Sequence, residues 1–251
     1  VVLLTPGPYN ETYFEQAYLA RYLGYTLVEG EDLTVRDDRV YLKTLSGLEP
    51  VDVILRRVDD DFCDPLELRN DSMLGVPGLV RAVRAGNVAM ANALGSGLAE
   101  APAMMAFLPG LCRKLLGENL LMPSVATWWC GQETPRRQVE QRIDQLVIKS
   151  AFRVRGREVH FGENLSATER AVFIERMRFA PDRWAAQEKM TFSTAPTWED
   201  GRLVQKPISV RVYLVATEDG YMVMPGALTR VAASLNSPLV SMQAISTIRG
   251  R

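Results

Sequence analysis

The chain has 251 residues, 29 of them basic and 30 acidic, a net charge of −1, with 47% hydrophobic side chains. That length supports a sizeable core, most readily in two lobes, and the near-cancelling charge excludes the broad basic face of a nucleic-acid binder. Three widely spaced cysteines (Cys63, Cys112, Cys130) fit neither a zinc site nor a secreted disulfide framework and point to a reducing cytoplasm; neither a membrane span, which takes ~18 apolar residues, nor a signal peptide is expected.

In chain order, VVLLTPG (Val1–Gly7) reads as a buried strand. Asn10 follows as a helix N-cap with Glu11 in the first turn; the helix carries an apolar stripe of Tyr13, Phe14, Ala17, Tyr18, Ala20 and Leu23 and stops at Gly24. Tyr25–Gly30 is the next strand, and Leu33–Leu45 alternates about Asp37-Asp38 as a hairpin. Val51–Val58 is another buried strand, followed by the acidic loop Asp59–Asp61, and a helix over Pro77–Ala85 leads into Asn87–Gly95. Strands alternating with helices predict a Rossmann-like parallel sheet, with ligand groups at strand C-termini, here Thr5–Asn10 and Asn92–Gly97. Ala101–Leu116 reads as helical, Leu120–Gly131 supplies one strand, and Pro135–Ile143 is a surface helix. From Leu146 the pattern becomes antiparallel: a strand, a helix over Ser166–Phe179, a second strand, a loop at Ser193–Pro196, and an alternating stretch Pro207–Gly226 that turns at Glu218-Asp219-Gly220. The predicted class is α/β, passing to α+β in the second half, with a lobe over 1–100, a helical connecting segment over 101–145 and a third region over 146–251.

The chemistry concentrates in LVIKSAFRVRGREVHFG (Leu146–Gly162) and AAQEKM (Ala185–Met190). An apolar strand delivers the ammonium of Lys149 to a sheet edge, and a loop with Arg153 and Arg155 hangs beyond it. A second strand then presents Gln187 and Glu188. This order of parts suits a cleft that clamps a triphosphate. The loop lacks the spacing of a phosphate-binding helix N-terminus, so its arginines rather than its backbone would meet phosphate. Position alone leaves each residue with a plainer reading: Lys149 as a solvated edge lysine, Gln187-Glu188 as a strand end, Arg211 as a cross-strand surface partner, and Asp59–Asp61 as an acidic turn rather than a metal site. His160 is the single histidine and has no nucleophile to serve, which argues against triad chemistry; Trp128-Trp129 reads as packing.

Several long stretches resemble the circularly permuted ATP-grasp type 2 family, ligases akin to glutathionylspermidine synthetase: Thr5–Leu45, Val51–Arg69, NALGSG (Asn92–Gly97), Phe107–Trp129 in looser form, and MPGALTR (Met224–Arg230). The resemblance implies a Rossmann-like pre-ATP-grasp lobe followed by a circularly permuted ATP-grasp lid and core that hold ATP, with Mg²⁺ as second cofactor. It implies that Lys149, Arg153 and Arg155 meet the phosphates, that Gln187 and Glu188 meet adenine and ribose, and that Arg211 and Arg230 face the triphosphate or acyl phosphate. Asn10, Glu11 and Asn92 are the corresponding candidates for holding the acceptor. The chain departs from the family pattern at Ser150, where proline is usual, at Ala227, where glycine is usual, and after Met242. The family's acidic metal ligands are expected upstream of Val1, so the chain is expected to be an inactive piece of a longer bacterial protein.

Two functions follow. The first is an ATP-dependent carboxylate–amine ligase domain that works through an acyl phosphate on small-molecule or peptide-like acids and amines. The second is a non-catalytic scaffold of the same shape that docks a helical partner domain. A ligase requires Lys149, Glu188 and Arg211 to face one nucleotide; a scaffold does not. An oxidoreductase is excluded, because no GxGxxG follows the first strand.

Overall fold

The computed structural model describes residues 1–152 and 159–233. The chain forms two compact units, Val1–Gln187 and Glu188–Arg251. The arginines expected at 153 and 155 lie outside the described residues.

The first unit opens with β1 (Val2–Leu4), α1 (Tyr13–Leu23) and β2 (Thr26–Val28). Next come β3 (Leu33–Arg36), β4 (Arg39–Thr44) and β5 (Gly47–Pro50), which form an antiparallel three-stranded sheet. Asp37 and Asp38, both at positive φ (48° and 59°), make the tight turn between β3 and β4 that the sequence predicted; β5 was not foreseen. β6 (Val53–Arg56), α2 (Leu79–Arg84) and β7 (Ala89–Ala91) complete a four-stranded parallel sheet of order β2-β1-β6-β7. Val2 pairs with Thr26 on one side and Ile54 on the other, and Val53 pairs with Ala89. The unbroken apolar run of β1 is what a central strand needs: Val2, Leu3 and Leu4 are all buried.

Beyond β7 lie α3 (Leu108–Leu116), β8 (Thr127–Trp129), α4 (Glu133–Gln141), β9 (Leu146–Ser150), β10 (Val159–Phe161), α5 (Ala167–Phe179) and β11 (Trp184–Glu188). Their four strands form a second sheet of order β10-β9-β11-β8, with the β9–β10 and β8–β11 pairs antiparallel. Ile148, Phe173, Met177 and Trp184 fill the core beneath it. Gly162 marks a close approach there, since a Cβ on it would stand 1.6 Å from the Ile143 carbonyl oxygen.

In the second unit, β12 (Thr194–Glu199), β13 (Arg202–Arg211) and β16 (Leu228–Val231) form an antiparallel sheet of order β12-β13-β16, while β14 (Leu214–Thr217) and β15 (Gly220–Val223) pair as a hairpin. The turn expected at Glu218–Gly220 joins β14 to β15, and a turn at Asp200-Gly201, both residues at positive φ, joins β12 to β13.

Four expectations need correction. The α1 N-cap is Thr12, not Asn10, and Glu11 precedes the helix. The segment 101–116 is a 3-10 helix, Pro102–Ala106, followed by α3; Pro109, which has no N–H, is accommodated in the first turn of a helix that starts afresh at Leu108. Helices expected at Pro77–Ala85 and Pro135–Ile143 are displaced by about two residues at their starts, to Leu79 and Glu133. The expected loop Ser193–Pro196 belongs mostly to β12, where Pro196 is tolerated because β12 is an edge strand.

Candidate functional site

At the C-terminal end of β1, Asn10 organises the turn into α1. Its Oδ1 accepts hydrogen bonds from the Thr12 amide (3.0 Å), the Thr12 hydroxyl (2.7 Å) and Gln16 Nε2 (3.3 Å). Gln16 is buried and receives a bond from the Thr5 hydroxyl on its Oε1 (2.5 Å). The Asn10 carbonyl oxygen of the side chain is therefore committed to the turn, while Glu11 is exposed.

At the ends of β6 and β7 the organising residue is Arg56, which sequence reasoning missed. Its guanidinium donates to the carbonyl oxygens of Asn92 (3.1 Å), Val58 (2.6 Å) and Ala93 (3.4 Å) and pairs with Asp60. Asp60 in turn accepts from the amides of Gly95 (3.0 Å) and Gly97 (3.4 Å). One ion pair thus fixes the Asn92–Gly97 turn, and the middle aspartate of the acidic loop is a loop clasp. Among the described residues no group of three or more His, Cys, Asp or Glu side chains is placed to hold a metal ion. The sequence signal was available: a cation at a strand end four residues before an acid.

The second sheet places Lys149 and Gln187 together. The Lys149 ammonium donates to Gln187 Oε1. Gln187 is 6% exposed, and its Nε2 donates to Thr127 Oγ1 (3.1 Å) and Met105 Sδ (3.1 Å). The Thr127 hydroxyl in turn donates to the Val125 carbonyl oxygen (2.9 Å). Thr127 and Gln187 are direct cross-strand partners on β8 and β11. The Gln187 amide is therefore committed to protein on both of its ends, which sequence reasoning did not foresee.

Glu188 begins the second unit. There Arg230 stands opposite Ser209 and Arg211 opposite Leu228, so the two arginines share one face of the sheet at diagonal positions. The Arg230 Nε is buried and has no hydrogen-bond partner among the described residues. Such an atom, on a sheet face that carries a second arginine, suits an anionic oxygen. Lys206, by the alternation of the strand, lies on the other face and is paired with Glu199 (2.7 Å).

Other polar candidates are structural. His160 packs against Phe173 (ring centroids 4.8 Å apart) and Trp184 (6.3 Å) in the core below β9. Trp128 donates its indole N–H to Gln138 (2.9 Å), and Trp129 donates to the Asp182 carbonyl oxygen (3.0 Å). Burial pushes the thiols up, Cys63 to about 11 and Cys130 to about 12, so neither is a thiolate nucleophile near neutrality. No helix among the described residues is long and apolar enough to cross a membrane.

A family model described as circularly permuted ATP-grasp type 2 matches residues 1–232. An uncharacterised protein of Mycobacterium tuberculosis (strain ATCC 25618 / H37Rv) is 42% identical over 241 residues, which are 96% of this chain and 44% of the relative. An uncharacterised protein of Synechocystis (strain PCC 6803) is 41% identical over 241 residues, again 96% of this chain and 50% of the relative. The chain spans about half the length of these curated relatives. Among solved structures, the ATP-grasp ligase PsnB complexed with a minimal precursor is similar at 13% identity and a TM-score of 0.48, covering 92% of this chain and 75% of that one. D-alanyl-alanine synthetase A of Vibrio cholerae is similar at 10% identity and a TM-score of 0.42, over 86% of this chain and 67% of that one.

Proposed function

Because the chain belongs to the circularly permuted ATP-grasp type 2 family, we propose that it is the nucleotide-handling part of an ATP-dependent ligase that joins a carboxylate to an amine. The observation that carries this reading is the Lys149 ammonium, held at the end of β9 by the buried Gln187. A cation fixed in a half-buried setting, rather than free to wander, is what a phosphate oxygen requires.

In this reading the parallel sheet is the Rossmann-like lobe that precedes the ATP-grasp elements. Lys149 binds a phosphate oxygen, and Glu188 meets the ribose side of the nucleotide. The paired face of Arg211 and Arg230 holds a transferring phosphoryl or an acyl-phosphate oxygen; the unpartnered Nε of Arg230 supports this role. The reaction moves the γ-phosphoryl of ATP to the substrate carboxylate, releasing ADP; the amine nitrogen then attacks the acyl carbon and phosphate leaves. The protein's part is positioning and charge stabilisation. Mg²⁺ would neutralise phosphate charge when bound; among the described residues no group of three or more His, Cys, Asp or Glu side chains is placed to hold it, and no step here depends on it. In the same reading the Asn92–Gly97 turn, which Arg56 and Asp60 set, and the Asn10-Glu11 turn hold a small-molecule or peptide-like acceptor, in the cytoplasm.

The test is ADP release from Mg·ATP in a pool of α-amino acids with hydroxylamine present to trap acyl phosphate. It is run on the chain and on a polypeptide of the relatives' full length. ADP and hydroxamate that appear together, and that Lys149→Ala removes, support the ligase. Bound ATP with neither product would favour the scaffold reading.

A further inference from the structure

We infer that Gln187 is a positioning residue, whose task is to set where the Lys149 ammonium stands rather than to contact the nucleotide itself; this rests on the proposed nucleotide role of Lys149. Each polar atom of the Gln187 side chain is engaged by protein. Oε1 accepts from Lys149, and Nε2 donates to Thr127 and to Met105. An amide nitrogen has two hydrogens to give, and these two partners take both. At 6% exposure the side chain has almost no surface left for a ligand. A nucleobase could reach this amide only by displacing an internal bond and leaving a buried group unsatisfied, which is unfavourable.

The assembly has a direction. Val125 accepts from Thr127, Thr127 accepts from Gln187, and Gln187 accepts from Lys149. The first three residues of this relay have backbones in or beside β8 and β11, which are hydrogen-bonded neighbours, so the acceptor offered to the lysine is fixed by a sheet and not by a loop. A lysine side chain has four rotatable bonds and much rotamer entropy to lose. A rigid acceptor settles that loss in the folded protein, before phosphate arrives. Gln187 is also the last residue of the first unit, and its strand, β11, ends at the next residue, Glu188.

The experiment is a double-mutant cycle read by calorimetric titration of Mg·ATP, with amine acetylation of the nucleotide-free protein as a second readout. Gln187→Leu should weaken Mg·ATP by about five- to tenfold in the native background and by less than about twofold when Lys149→Ala is already present. Equal losses in both backgrounds would overturn the inference and make Gln187 a merely structural residue. Independently of nucleotide, acetylation of Lys149 by acetic anhydride, followed by peptide mass spectrometry, should run faster in Gln187→Leu. It should run slower in Gln187→Glu, whose carboxylate favours the ammonium form. Unchanged labelling in both would also overturn it. If the unaltered protein binds no Mg·ATP the nucleotide role of Lys149 falls, while the labelling still decides whether Gln187 governs the ammonium. Should Gln187→Leu fail to fold, Thr127→Val keeps both Gln187 and Lys149 and is expected to shift both readouts in the same direction as Gln187→Leu.

Discussion

Asp64 is a fully buried carboxylate whose hydrogen bonds all come from backbone: Leu66 (2.9 Å) and Gly78 (3.2 Å) on one oxygen, Val80 (2.9 Å) on the other. It lies fourteen residues ahead of Gly78, the N-cap of α2, and does the work that the capping glycine cannot, because glycine has no side chain to accept the first free amides. Asp64→Ala would leave three amides without that acceptor, and we expect a loss of about 3 kcal/mol in urea denaturation, with Asp64→Asn losing roughly half as much. None of this was legible in the sequence, where Asp64 is one more acid after Asp59–Asp61. Lys149 was legible for the opposite reason. A lone cation that ends an apolar strand stands out in a sequence, whereas a residue satisfied by distant backbone leaves no local pattern.

At the scale of elements, the helices show which signals travel. α5 begins at Ser166, whose hydroxyl accepts from the Glu169 amide (3.3 Å) while the Glu169 carboxylate accepts from the Ser166 amide (2.8 Å). This reciprocal box is written locally as Ser-x-x-Glu, and the helix expected over Ser166–Phe179 is α5 with Ser166 as its N-cap. The Ser166 hydroxyl and then its amide hold the Glu169 carboxyl below its ordinary value. Its stabilising contribution is therefore full above the unfolded carboxylate range and is lost as pH falls through the lowered folded value. Helix content in α5, followed by amide exchange, should decline on acidification by more in the native protein than in Glu169→Gln. The start of α1 was misread because Asn10 is also a good capping residue; here it accepts from Thr12 in the turn just outside the helix. The Arg56–Asp60 clasp gives another expectation at this scale. Arg56→Met should speed hydrogen exchange at the Gly95 and Gly97 amides at least tenfold, with little change in the β1–β2 pair, because Asp60 would lose the cation that holds it under those amides.

At the scale of the whole molecule, the parallel pairing of the first sheet is legible in apolar runs alternating with helices, clearest in the fully buried β1, whereas the order β2-β1-β6-β7 is not. The β12–β13 hairpin escaped because Pro196 and neighbouring small residues imitate a loop, although Asp200-Gly201 marked its turn. The site divides in the same way. The family is legible in the stretches Thr5–Leu45, Val51–Arg69, Asn92–Gly97 and Met224–Arg230, and the roles proposed for Lys149, Arg211 and Arg230 rest on that resemblance. Arg56 and Asp60 carry a local signal, a cation at a strand end four residues before an acid, whereas Thr127 and Met105 leave none, because their partner Gln187 lies 60 and 82 positions away. The proposed bond from the Lys149 ammonium to a nucleotide phosphate is tested directly by the Mg·ATP dissociation constant of the unaltered protein and of Lys149→Ala. Removing a charge-assisted hydrogen bond worth about 1.5–3 kcal/mol should weaken binding roughly 10- to 150-fold, with the fold and its thermal midpoint preserved. Equal affinity in the two proteins, or no binding by the unaltered protein in the full length of its relatives, would contradict it.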